Sequence, residues 1–330
     1  MARGADGGSG AGLAEPAEQL ERHRIELTAY CYRMLGSSFE AEDAVQETLT
    51  RAWRALDRFE RRSALRTWLY RIASNVCLDM LGASQRRARP MDLTSPGGLD
   101  TALVPLPETA WIEPIPDARV LPADGDPGAL AEARETLRLA FIAVLQHLPP
   151  RQRAVLILRE VLHWSAAETA DLLDTSVASV NSALQRARAT LADRDLDQSA
   201  PSRPDDAARR ELLDRYVDAF QRYDMDALRD LIHEDATQSM PPYDLWLRGR
   251  DTVFAWWVGP GAACRDSRLV PAPANGMPAW GQYKPQPDGT YLPWALQVAQ
   301  VDGPRIGDLT FFLDTERLFP LFGLPPSLPA

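Results

Sequence analysis

Between Ala17 and Arg89 apolar residues recur at intervals of three and four while Gly and Pro are nearly absent, a spacing that predicts helices. One apolar stripe is Val45, Leu49, Ala52 and Leu56, which leaves Glu42, Asp43, Gln46, Glu47, Arg51 and Arg54 on other faces. A second is Leu65, Leu69, Ile72, Val76 and Met80, with Arg66, Arg71, Ser74, Asn75 and Asp79 turned elsewhere. The short basic stretch Asp57 to Ser63 connects them. Over residues 90–129 periodicity gives way to Pro, Gly and Asp, which marks a linker. Within it, Trp111 to Asp117 sets apolar anchors among prolines and is expected to dock in extended form against a folded surface.

Helical periodicity resumes over 130–196. Ser165 and Glu168 form a capping box that opens a helix through Leu173; a turn at Asp174 and Thr175 leads to a second cap, Ser176. The stripe that follows is Val177, Val180, Leu184, Ala187 and Leu191. A helix, a tight turn and a second helix result. The second presents Ser179, Asn181, Ser182, Gln185, Arg186 and Arg188 away from its seam, side chains that reach base edges or phosphates. A polar second linker at 197–206 precedes an α+β pattern over 207–330. Helices are expected over Ala207–Tyr223, Asp226–Ile232 and Arg250–Trp257, and strands over Thr237–Met240, Ala279–Tyr283, Trp294–Val301 and Ile306–Phe312.

Charge sharpens this picture. The net charge of −10 opposes nucleic-acid binding on average, but its distribution is uneven. Residues 20–90 carry 13 Arg against 9 acids, and from Arg58 to Arg89 the ratio is 8 to 2; residues 91–133 carry 8 acids against Arg119 alone. One segment can therefore face phosphate. Of 36 basic residues 35 are Arg, and the exception, Lys284, is taken as genome composition rather than a site. The 330 residues, 45% hydrophobic, suit a soluble chain of two or three domains. No apolar run approaches bilayer length, and Met1 to Gln19 lacks a signal pattern and is expected to be disordered, so neither membrane nor secretion is expected. Cys31, Cys77 and Cys264 are far apart with no clustered His; a reducing cytoplasm fits, and no metal or cofactor is implied.

The block Ala41-Glu42-Asp43-Ala44-Val45-Gln46-Glu47-Thr48, with Arg66-Thr67-Trp68-Leu69-Tyr70-Arg71-Ile72-Ala73, Asn75 and Asp79, closely resembles region 2 of extracytoplasmic-function sigma factors of the sigma-70 family. Leu148-Pro149-Pro150-Arg151-Gln152-Arg153 through Arg186-Ala187-Arg188 resembles region 4, and residues 207–330 resemble the SnoaL-like (NTF2-like) domain fused to some of these factors. The resemblance implies two all-α domains, a region 2 bundle (20–89) and a region 4 helix-turn-helix, followed by an α+β cone. It implies core RNA polymerase as partner, through the β′ clamp and β flap, and promoter DNA as the second. Asp43, Gln46, Glu47, Leu49 and Trp53 would meet polymerase. Arg58, Arg61, Arg62, Ser63, Arg66, Arg71, Asn75 and Asp79 would hold the opened −10 strand. Ser176, Ser179, Asn181, Ser182, Gln185, Arg186 and Arg188 would read the −35 element, on a helix that Asn181 and Ala183 leave less basic than in many members.

No catalytic residue is expected. The position where isomerases of the SnoaL-like fold place their aspartate falls near Met240, a thioether that cannot abstract a proton. His233, Asp235, Tyr243 and Asp244 read as pocket or turn groups, and Trp246, Phe254, Trp256 and Trp257 as cavity lining or core. The third domain is expected to regulate by intramolecular inhibition, packing on regions 2 and 4 through Trp111, Pro114 and Asp117 and through the tail residues Phe319, Phe322 and Leu324, with the acidic linker shielding the basic patch. The rival readings are an enzyme carrying DNA-binding helices and a sensor with a small-molecule ligand in the SnoaL-like domain.

Overall fold

Ser37 sets the first helical turn in place: its Oγ accepts from the Glu40 amide at 3.1 Å, directly after Gly36 ends the preceding helix in a left-handed conformation (φ 72°). The computed structural model describes residues 17–59, 64–82, 87–192 and 206–330. Arg61, Arg62, Ser63, the side chain of Arg58, most of the expected disordered N-terminus and nearly all of the second linker lie outside the described residues. The chain divides into two units, one built from residues 1–85, 118–136 and 144–191 and the other from 86–117, 137–143 and 192–330.

The first unit is helical. Helices α1 (Arg24–Leu35), α2 (Ser38–Ala55) and α3 (Leu65–Leu81) pack through Ala41, Val45, Leu49, Ala52, Leu69, Ala73 and Val76, all buried. Helices α4 (Pro127–Glu135), α5 (Leu139–Gln146, whose first five residues belong to the second unit), α6 (Pro150–Leu156), α7 (Ala166–Leu172) and α8 (Val177–Ala192) follow along the chain. Two buried guanidinium groups join the early helices to the late ones. Arg153 donates to the carbonyl of Met34, to Gln146 Oε1 at 2.6 Å and to the carbonyls of Gln146 and Leu148. Arg33 donates to Thr136 Oγ1 at 2.8 Å and to the Thr136 and Ala29 carbonyls, and burial pulls it down to about 10.

The second unit is a six-stranded sheet with helices α9 (Asp206–Gln221), α10 (Met225–Leu231) and α11 (Arg250–Val258). Its strands are β1 (Ile232–Ser239), β2 (Trp246–Arg248), β3 (Arg268–Pro271), β4 (Ala279–Pro285), β5 (Tyr291–Asp302) and β6 (Arg305–Phe312), in the order β2-β1-β6-β5-β4-β3. The β1–β6 pair alone is parallel. Tyr216, Phe220, Leu228, Trp256, Trp257, Trp280 and Phe311 form the core beneath the helices, so most of the expected aromatic cluster is core. Strands β4, β5 and β6 lie where the sequence places them, whereas β1 begins at Ile232, five residues ahead of the expected Thr237. The short β2 and β3 carry too few residues to show a period and are found only in the structure.

Residues 87–117 are not a free linker but a strap on this sheet. Bridges join Ala88 to Trp111, Pro105 to Tyr243 and Pro116 to Ala274, and Trp111, Ile112 and Ile115 are buried. Four of the strap's acids find partners here: Asp92 with Arg89, Glu108 and Glu113 with Arg317, and Asp117 with the Gly276 amide at 2.7 Å. These four acids are thus engaged within the sheet unit, whereas Asp124, Asp126 and Glu132 of the expected shield lie in the stretch that belongs to the helical unit. The expectation for the tail is corrected. Helix α12 (Thr315–Leu321) sets Phe319 edge-on to Tyr283 at 5.1 Å, and Leu324 fills the space above Gly281, where a Cβ would stand 2.6 Å from its Cδ1. The tail covers its own sheet because β4 leaves room for it there.

Replacing Arg153 with Met leaves the Met34, Gln146 and Leu148 carbonyls without their donor in an apolar interior. It is expected to destabilise the helical unit by roughly 2–4 kcal/mol. Calorimetry would read this as a lowered transition for that unit, with the sheet unit's transition unmoved.

Candidate nucleic-acid interface and cavities of the sheet unit

The helix-turn-helix follows from local chemistry. Ser165 Oγ accepts from the Glu168 amide at 3.1 Å while Glu168 Oε2 accepts from the Ser165 amide at 2.8 Å, and the two hydrogen bonds from Ser165 hold the Glu168 carboxyl below its usual range. Asp174 turns the chain with φ 49°, and Ser176 Oγ then caps α8 through the Ser179 amide at 3.1 Å. Val180, Ala183, Leu184 and Ala187 are buried, whereas Ser176, Ser179, Asn181, Ser182, Gln185, Arg186 and Arg188 are all exposed on α8. Val177, expected in the seam, is 43% exposed, because it stands at the first turn beyond the seam's reach. Arg188 is held by Glu160 at 2.6 Å.

On α2, Asp43 and Gln46 are exposed, Glu47 pairs with Arg51 at 2.7 Å, and Trp53 is 41% exposed. Leu49, expected beside them, is 6% exposed and belongs to the core, since it falls on the Val45–Ala52 stripe. On α3, Asn75 and Asp79 are exposed, and Asp79 lies 3.9 Å from Arg51. Trp68 stacks on Phe59 at 4.8 Å. Arg66 and Arg71 are both engaged. Arg66 donates to Glu26 at 2.7 Å and lies over the rings of Tyr70 and Trp164. Burial raises the Glu26 carboxyl, but hydrogen bonds from His23 and Arg66 outweigh it and hold the group below its usual range. Arg71 pairs with Asp171, on the first helix of the helix-turn-helix, at 2.8 Å, and Tyr70 packs against Trp164 at 5.2 Å. The faces carrying the expected −10 and −35 residues thus belong to one folded unit.

The sheet unit carries two cavities on opposite faces of β1, as its alternation dictates. An apolar one of about 260 Å³ is lined by Phe220, Gln238, Met240, Tyr243, Trp256, Trp257, Phe311 and the strap's Leu103, with Cys264, Lys284 and Trp294 also in its wall. Trp257 Nε1 donates to Gln238 Oε1 at 2.6 Å. A polar one of about 640 Å³ is lined by Arg89, His233, Asp235, Thr237, Trp246, Arg248, Gln300 and Asp308 among others. Asp308 is raised by burial, although the Thr237 hydroxyl and Arg89 oppose this. Tyr243 and Met240 thus reach the apolar cavity, and His233 and Asp235 the polar one, while the Asp244 carbonyl accepts from Thr94. Sequence reasoning passed over Lys284, Cys264 and Trp294. Their one signal was that Lys284 is the sole lysine of the chain.

Family models match in three places: sigma-70 region 2 over residues 20–87, sigma-70 region 4 over 138–191 and a SnoaL-like domain over 213–274. The chain is 46% identical over 328 residues to the ECF RNA polymerase sigma factor SigG of Mycobacterium tuberculosis, covering 95% of this chain and 87% of that one. It is 31% identical over 249 residues to the ECF sigma factor SigJ of the same organism, covering 73% and 72%. The crystal structure of SigJ superposes with a TM-score of 0.58 at 24% identity, covering 95% of this chain and 99% of that one. Among the described residues no helix is long and apolar enough to cross a membrane.

Arg71 and Asp171 are solvent-exposed, at 41% and 71%, so their bond is cheap to open. A double-mutant cycle of Arg71→Ala and Asp171→Ala is expected to give a coupling of no more than about 1 kcal/mol in chemical denaturation.

Proposed function

We propose, for a chain that belongs to the extracytoplasmic-function (ECF) RNA polymerase sigma factors, that it binds core polymerase in the cytoplasm and directs it to promoters through its two helical faces. The observation that carries this reading is α8. Behind the buried Val180, Ala183, Leu184 and Ala187 it offers Asn181, Ser182, Gln185 and Arg186 to solvent, while Ser176 and Ser179 stand at its positive N-terminal end, where phosphate is favoured. Asn and Gln pair bidentately with adenine in the major groove, which compensates for a helix of modest charge. The β flap is the proposed partner of this part of the chain. The exposed Asp43, Gln46 and Trp53, with Glu47, form a polar-rimmed surface suited to the β′ clamp. Arg66, Arg71, Asn75 and Asp79, with the connection through Arg58, Arg61, Arg62 and Ser63, would take the opened −10 strand.

Restraint is proposed to lie inside the helical unit. Arg66 and Arg71 spend their charge on Glu26, Trp164 and Asp171, and these partners compete with DNA phosphate for the same guanidinium groups. The sheet unit would act through the strap that it holds, binding rather than turning over a ligand. Met240 stands in its apolar cavity where related isomerases carry a carboxylate, and no Asp or Glu lines that cavity.

The test is run-off transcription with purified core polymerase and the full chain, since removing the sheet unit would strip the strap of the surface that buries Trp111 and Ile115. Asn181→Ala with Gln185→Ala is expected to lower promoter-specific output at least tenfold, because each lost bidentate contact is worth about 1–3 kcal/mol. Asp171→Ala is expected to raise output. Unchanged output in the first variant overturns the assignment of α8, and unchanged or lower output in the second overturns the restraint.

A further inference from the structure

The apolar cavity is built with one charge in its wall. Its helices and strands contribute Phe220, Trp256, Trp257, Met240 and Phe311, and the lining holds no carboxylate. The single cation is Lys284. Its Nζ stands 3.0 Å from the centroid of the Trp294 ring, and the Cys264 thiol shares the same wall. No Asp or Glu lines the cavity beside it, and burial holds its ammonium below the usual lysine range. The same burial raises the Cys264 thiol, which therefore stays neutral beside it. A half-buried ammonium facing only an indole face and a neutral thiol is undercompensated, and an incoming anion supplies the missing charge. In a chain that uses Arg at 35 of its 36 basic positions, the compact ammonium stands in the wall of this cavity.

From this geometry we infer that the cavity binds a planar, largely apolar molecule bearing one acidic group, a carboxylate or phenolate, with its ring system between Trp256, Trp257 and Phe311 and its anion on Lys284. The volume of about 260 Å³ admits a ligand of roughly a dozen to twenty non-hydrogen atoms. Such a ligand also touches Leu103 of the strap, so binding favours the docked strap over the released one. The inference deepens the reading of the sheet unit as a binding module and rests on it.

The test uses the full chain and a matched pair of probes, 2-naphthoate and its neutral isostere 2-naphthamide, by calorimetric titration. The naphthoate is expected to bind at least tenfold more tightly than the amide. Lys284→Met should remove that preference while leaving the amide unchanged, and Lys284→Arg should retain part of it. Met240→Trp, which fills the cavity, should abolish binding of both. Because Lys284 is the sole lysine, protein carrying 13Cε-labelled lysine gives a single resonance from which its titration is read directly. Naphthoate should move that resonance and the amide should not. Raising pH through the Lys284 pKa removes the ammonium, so naphthoate affinity should fall at a pH below that of an ordinary lysine. Equal affinity for the two probes, an unmoved resonance, or unchanged binding in Met240→Trp overturns the proposal. Run-off transcription by the same preparations separates its failure from failure of the sigma-factor reading, since loss of naphthoate selectivity with intact transcription touches this site alone.

Discussion

Asn275, fully buried at the turn between β3 and β4, is the group on which the connecting chain depends. Its Oδ1 accepts from the Ile115 amide at 3.0 Å, its amide donates to the Ile115 carbonyl at 3.0 Å, and its Nδ2 donates to the Leu137 carbonyl at 2.8 Å. Both passes of the connector through the sheet unit are thereby held by one side chain. A buried amide stripped of these partners would cost roughly 1–3 kcal/mol per unpaired group, which adds to the burial of Trp111, Ile112 and Ile115 in favouring the docked arrangement. Asn is suited to the place because it tolerates the left-handed backbone there (φ 56°), and Gly276 (φ 69°) then offers its amide to Asp117.

That single node explains why the domain order along the chain differs from the way the chain folds. The connector belongs to the sheet unit up to Asp117 and to the helical unit over 118–136. The changeover is abrupt. Arg33 of the helical unit holds Thr136, and the very next carbonyl, Leu137, is held by Asn275. Any movement of residues 118–136 must therefore work against a desolvated guanidinium at one end and a desolvated amide at the other.

How far this was legible in the sequence depended on the range of the interactions. The α8 face, the Ser165–Glu168 box and the Ser176 cap were all readable, because periodicity and capping involve residues within four positions of one another. Docking of Trp111 to Asp117 was readable as a tendency from its buried anchors, yet its surface was not, since Ala274 and Asn275 lie some 160 residues away. Leu49 and Trp53 looked equivalent as apolar residues beside an acidic face, and only the packed helix separates core from surface. The tail's apolar residues correctly demanded cover, but the space above Gly281 that receives Leu324 is a property of the folded sheet. Lys284 was dismissed on composition because nothing in the linear sequence sets it beside Cys264 and Trp294.

The two halves of the molecule differ in how firmly they hold their contacts. In the helical unit Arg66 and Arg71, the arginines proposed to meet DNA, are held by half-exposed pairs and ring faces, interactions that salt and competing phosphate weaken. The strap is held by buried amides and apolar anchors, which they do not. A signal arriving at the sheet unit changes the connector only if it makes different contacts with the docked and the released strap, because uniform binding shifts no equilibrium. Both cavities meet that requirement through strap residues, Leu103 in the apolar one and Arg89 in the polar one. Leu103 is the more responsive of the two, since it is 42% exposed and has contacts still to gain, whereas Arg89 is already committed to Asp92. In the proposed regulation the lever would be this apolar side chain, left half-uncovered at the edge of an aromatic cavity.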